Sequence, residues 1–85
     1  MSRKHNLKCF TDRYTHIASG RCTADIRRDD RGFMIGDYIE YQEGAYHEGR
    51  FLLTGNTVLV EITYIDPWSL PAGFINLSIK KVKNG

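Results

Sequence analysis

Asp25 and Arg27 stand two apart in the stretch Gly20-Arg21-Cys22-Thr23-Ala24-Asp25-Ile26-Arg27. On an extended strand that spacing puts both side chains on one face. One carboxylate acceptor beside one forked guanidinium donor suits the polar edge of a base or a phosphate. The same pair equally suits an internal ion pair or a bond to a neighbouring strand. Just upstream, Arg21 beside Cys22 favours a thiolate, while a small half-buried cysteine fits the position as well. Downstream, Arg28, Asp29, Asp30 and Arg31 run into Gly32. Asp30 suits a local turn cap, and Arg31 is expected either to pair with Asp37 or to face a ligand. Lys8 and Arg21 complete the candidates for phosphate contact. The expected nucleic-acid-binding set is Lys8, Arg21, Asp25, Arg27 and Arg31, against the plain alternative of a solvated charged surface.

Other chemistry is less well served. His5, His16 and His47 lack ligand spacing, and Cys9 and Cys22 lack the paired flanks of a zinc site. No catalytic set, metal or cofactor is expected. Tyr64 and Trp68 are the rings able to stack a base. Tyr64 lies on the apolar face of its strand and suits a core; Trp68, in an Asp-Pro-Trp-Ser-Leu-Pro loop, suits the surface.

These residues need elements to position them. His5 to Phe10 reads as a first strand. Thr11 suits a helix N-cap and Asp12 the first turn. Phe10, Tyr14 and Ile17 make one apolar stripe, and Gly20 suits the left-handed end of a helix over 12–19. Strands are expected over 21–28, 38–42, 50–53, 57–65 and 74–82. Turns or loops are expected over 29–37, 43–49, at Gly55-Asn56 and over 66–73. Gly36-Asp37 reads as the turn that launches the 38–42 strand. In the 57–65 strand Val58, Val60, Ile62 and Tyr64 share one face. One helix and five to six short strands predict a mostly β, α+β domain, with a small, strongly bent sheet or partly closed barrel beside the helix.

The 85 residues suffice for one domain, 1–85, with a modest core. Net charge is +2, but it is unevenly spread. Residues 1–31 hold eight Lys/Arg against four acids; residues 32–79 hold Arg50 against six acids; Lys80, Lys81 and Lys83 follow. If the two ends of the chain meet, they form a basic face suited to a polyanion. No apolar run is long enough to span a bilayer, and no apolar signal core follows the charged start. A cytoplasmic protein with reduced thiols and no membrane association is expected. Nothing in the sequence sets an oligomeric state.

The ordered pieces His5-Asn6-Leu7-Lys8, Gly20 to Arg27, Asp30-Arg31-Gly32-Phe33-Met34-Ile35-Gly36-Asp37, Gly49-Arg50 and Ile62-Thr63-Tyr64-Ile65 resemble the PUA-like superfamily. More narrowly they resemble its ASCH-like members, closest to the domain-of-unknown-function family numbered 3850. The resemblance spans roughly residues 5 to 80. It implies a pseudo-barrel of five to six strands with a helix beside it, and a cleft between them lined by the segment after Gly20. It also implies binding of RNA or modified nucleosides. Some ASCH-like members are amidohydrolases on acetylated cytidine that use a Lys and a Thr of this segment and a later Glu. Here Cys22 stands at the position of that Lys and Asp25 at that of the second Thr, while Thr23 matches the first.

The leading expectation is a non-catalytic module that binds RNA or a nucleotide. One alternative is an amidohydrolase acting on an acetylated nucleoside. Another is a small protein-binding regulator of phage or mobile-element type.

Overall fold

The two-residue alternation of strands decides which side chains turn inward. The computed structural model describes residues 2–82, so Lys83 lies outside the described residues. In β1 (Lys4–Phe10) His5, Leu7 and Cys9 are buried, and Lys4, Asn6, Lys8 and Phe10 are exposed. The chain turns directly into α1 (Thr11–Ala18), then crosses to β2 (Ala24–Arg28). A turn-rich segment leads to β3 (Tyr38–His47), and β4 (Arg50–Asp66) and β5 (Phe74–Lys81) follow. Ile39 and Tyr41, then Val58, Val60 and Ile62, then Ile75, Leu77 and Ile79 continue the buried face across the last three strands. Each such aliphatic side chain, fully buried, contributes about 1.5–3 kcal/mol. Ile17 of α1 and Phe33 of the turn segment close the core.

The five strands form one mixed sheet in the order β1-β3-β4-β5-β2. Only β1 and β3 run parallel; the other pairs are antiparallel. Strands lie about 4.8 Å apart, so a flat sheet would hold β3 and β2 roughly 14 Å apart. Yet the Tyr41 hydroxyl on β3 reaches Asp25 on β2 at 2.6 Å. The sheet is therefore strongly curled across its buried face. It is not closed: β1 and β2 remain its two edges, and α1 connects them.

Several elements differ from the sequence expectation. Phe10, not Thr11, is the N-cap of α1, with extended φ −64° and ψ 147° and no side-chain cap bond. Phe10 still pairs with Gly44 as the last residue of β1, so the helix begins where the sheet ends. Gly20 takes the expected left-handed conformation, φ +82°, while β2 starts only at Ala24. The expected loop at 43–49 is mostly strand, reduced to a turn at Glu48-Gly49. The expected turn at Gly55-Asn56 is absent, because β4 runs through it as one strand of 17 residues. Thr54, Gly55 and Asn56 bulge opposite the single residue Glu43, and Gly55 takes φ +95° there. Thr54 Oγ1 and Asn56 Nδ2 both donate to Glu43 Oε1, at 2.8 and 2.9 Å. Those bonds hold the Glu43 carboxyl below its ordinary range despite burial. A second irregularity between Ile62 and Tyr64 turns Tyr64 outward, so it is exposed rather than in the core.

Candidate functional site

Asp25 and Arg27 share the inner face of β2, as their spacing predicts. Asp25 is only 2% exposed, and three side-chain donors surround its carboxylate. Arg13 Nη2 donates to Oδ1 at 2.8 Å, Arg27 Nε to Oδ2 at 3.1 Å, and the Tyr41 hydroxyl to Oδ2 at 2.6 Å. Arg13 also donates to the carbonyl of Ala24 at 3.3 Å. The pair expected on one face is thus an internal ion pair, completed by a second arginine from α1. Burial first, then the charge and hydrogen bond of Asp25, drive the Tyr41 phenol well above its usual range, so it remains a donor. Burial likewise raises the Cys9 thiol, more than the lowering by nearby Arg13.

Two guanidinium groups against one carboxylate leave one formal positive charge at this cluster. It opens onto a shallow cleft of about 670 Å³ between α1 and β2. Asp12, Arg13, His16, Arg21, Cys22, Ala24 and Ile26 line it. Arg13 keeps nearly half of its side chain exposed there while its Nη2 is anchored to Asp25. Among the described residues no acid lies within ion-pair distance of Arg21. The Cys22 thiol donates to the carbonyl of Ala24 at 3.2 Å.

Of the five residues expected from sequence, Arg21, Asp25 and Arg27 gather at or behind this cleft. Lys8 and Arg31 do not. Lys8 stands on the outer face of β1, its Nζ 5.6 Å from the centroid of the Phe51 ring. Arg31 lies in the turn segment, 4.0 Å from Asp30. It does not pair with Asp37, whose carboxylate is already occupied. Asp37 accepts from the Arg3 N–H at 3.1 Å, the Met34 N–H at 3.1 Å and His5 Nε2 at 3.0 Å. Burial works to raise the Asp37 carboxyl, but the bonds from His5, Arg3 and Met34 outweigh it and hold the group below its usual range. The His5 ring lies against Phe33, centroids 4.6 Å apart. Asp29, rather than Asp30, braces the turn, accepting from the Phe33 N–H at 3.1 Å.

Arg13 and Tyr41 are not among the residues expected from sequence. Each carried a signal: Arg13 stands four before the core residue Ile17 and so shares its helix face, and Tyr41 alternates in phase with Ile39. The basic face is also smaller than the charge count suggests. Lys4 pairs with Glu40, Arg3 with Asp37, and Lys81 donates to the last helical carbonyl at Ala18.

Among the described residues no cluster of His, Cys, Asp and Glu has the makings of a metal site, and no helix is long and apolar enough to cross a membrane. No curated protein matches the sequence. Residues 4–79 match the family described as Domain of unknown function (DUF3850), which covers both edge strands, α1 and the cleft. The chain therefore belongs to that family.

Proposed function

We propose that this domain is a non-catalytic binding module for RNA or a nucleotide, with a PUA-like, ASCH-type pseudo-barrel. The cleft between α1 and β2 takes a phosphate of the ligand. The observation that carries this reading is the Asp25 cluster. A buried carboxylate orients Arg13 into an open cleft that Arg21 shares, and an oriented guanidinium binds phosphate oxygens in a fork. The apolar surface of Ala24 and Ile26 beside these cations offers a bed for the flat part of a nucleotide. Asp25 has no role as a general base in this reading, because its carboxylate is spent on three donors.

Titration with mixed single-stranded and structured RNA, and with 5′-mononucleotides, tests it. Affinity is expected to fall as salt rises, since bound phosphates release counterions. Arg21→Glu is expected to weaken binding of both ligand kinds. Absence of binding to any of them at low salt overturns the proposal. Turnover of acetylated cytidine that is lost in Thr23→Ala would assign the cleft to an amidohydrolase instead.

A further inference from the structure

Outside the cleft, the outer face of the sheet carries an aromatic cluster that no part of the core requires. Phe10 at the end of β1, Tyr46 on β3 and Phe51 on β4 contact one another, with ring centroids 5.3 to 5.9 Å apart. Phe10 is 56% and Tyr46 65% exposed, and Leu53 on the same face is half exposed. The cluster sits where β3 and β4 run on past the end of β1 as a two-stranded hairpin. Its geometry is built into the chain. Gly44 pairs with both Phe10 and Leu53, and a Cβ there would lie 2.5 Å from the Phe51 ring, so only glycine lets that ring lie across the strand. Lys8 extends its ammonium group over the other part of the platform, at the Phe51 ring.

We propose that this platform stacks unpaired bases of a single-stranded RNA, with Lys8 meeting the backbone phosphate between them. Exposed rings interleaved with a cation suit every base, because each has a π-face, and they suit the phosphates that join the bases. The other occupants fit less well. A second copy related by two-fold symmetry would bring the same patch, Lys8 included, against itself. The buried centre of a protein interface is depleted in lysine, whereas here no acid within ion-pair distance neutralises Lys8 among the described residues. Phe10 precedes the cleft residue Asp12 by only two positions. The ligand class rests on the functional reading above; the platform itself does not depend on the cleft.

The test uses the full chain, a labelled, uridine-rich, unstructured RNA of about ten nucleotides, and uridine 5′-monophosphate as the short ligand. Tyr46→Ala is expected to weaken the oligonucleotide about tenfold and to leave the monophosphate unchanged. Lys8→Gln is expected to lower the slope of affinity against salt, a readout that loss of packing would not move. Thermal melting of both variants identifies any that fails to fold, and Tyr46→Leu then replaces Tyr46→Ala, keeping apolar bulk without the ring. Equal oligonucleotide affinity in wild type and the Tyr46 variant overturns the platform while leaving the cleft reading intact. Loss of oligonucleotide binding in the Tyr46 variant but not in Arg21→Glu supports the platform and overturns the cleft. Concentration-dependent dimerisation abolished by Tyr46→Ala overturns the platform by assigning the patch to a second copy of the chain.

Discussion

Asp25 and Asp37 are both buried carboxylates, and each is met by three hydrogen-bond donors. Their donors differ in kind. Two of the three at Asp37 are backbone N–H groups, from Arg3 and Met34, and the third is His5, itself wedged against Phe33. That carboxylate ties the start of β1 to the turn before β3. All three donors at Asp25 are side chains, and one of them, Arg13, continues into an open cleft. A carboxylate spent on backbone groups holds the chain in place. A carboxylate spent on side chains holds those side chains in place, and can therefore shape a binding surface.

The largest effect is expected at Asp25. Asp25→Ala leaves Arg13 and Arg27 without their shared counterion and Tyr41 without its acceptor. A loss of about 3–5 kcal/mol in chemical denaturation is expected, a large part of the stability of a small domain. A loss under about 1 kcal/mol would show that water satisfies the arginines and that the cluster orients nothing.

Asp37→Asn keeps an acceptor but removes the charge, so a smaller loss of about 1.5–3 kcal/mol is expected. Its pH dependence has a definite sign. The Asp37 carboxyl is lower in the folded chain than its ordinary 3.8. Between the two values the unfolded chain binds more protons, so stability rises with pH there. The contribution is fully present above about 3.8 and is lost as pH falls through the lower folded value. Denaturation curves between pH 5 and 2 are expected to show that part of the acid limb in wild type and not in Asp37→Asn. An identical acid limb in both would place the destabilising protonation elsewhere.

Gly44→Ala sets a Cβ 2.5 Å from the carbonyl oxygen of Leu52 and from the Phe51 ring. Overpacking of this kind costs about 1–3 kcal/mol, and a shifted Phe51 signal in NMR spectra checks the local cause. The smallest effect on stability is expected for Arg21→Ala, within about 0.5 kcal/mol, because Arg21 is exposed and has no acid partner among the described residues. A large loss there would make Arg21 a structural residue like Arg3, and the contrast between the two aspartates would no longer separate binding from bracing.

The sequence carried part of this picture openly. The shared face of Asp25 and Arg27, the left-handed Gly20 and the structural place of Gly36-Asp37 were all legible, because each depends on a few adjacent residues. The scatter of Lys8 and Arg31 away from the cleft was not. Lys8 is on the face of β1 opposite Leu7 and Cys9, and only the buried face leads to Asp25. The continuity of β4 through Gly55-Asn56 was hidden as well, since a glycine-asparagine pair signals a turn equally well as a bulge. What decides for the bulge is Glu43, eleven residues from Thr54 and thirteen from Asn56, whose carboxylate accepts from both.

The face each side chain takes within its own strand or helix follows from neighbouring residues alone, since period and backbone preference are local. Tertiary structure decided which faces meet. The order β1-β3-β4-β5-β2 separates β2 from β3 by two strands, and only the curl of the sheet returns Tyr41 to Asp25 while α1 brings Arg13 to the same carboxylate. Strand pairing and curvature follow from the burial of one continuous apolar face, a sum over distant residues that no short stretch contains.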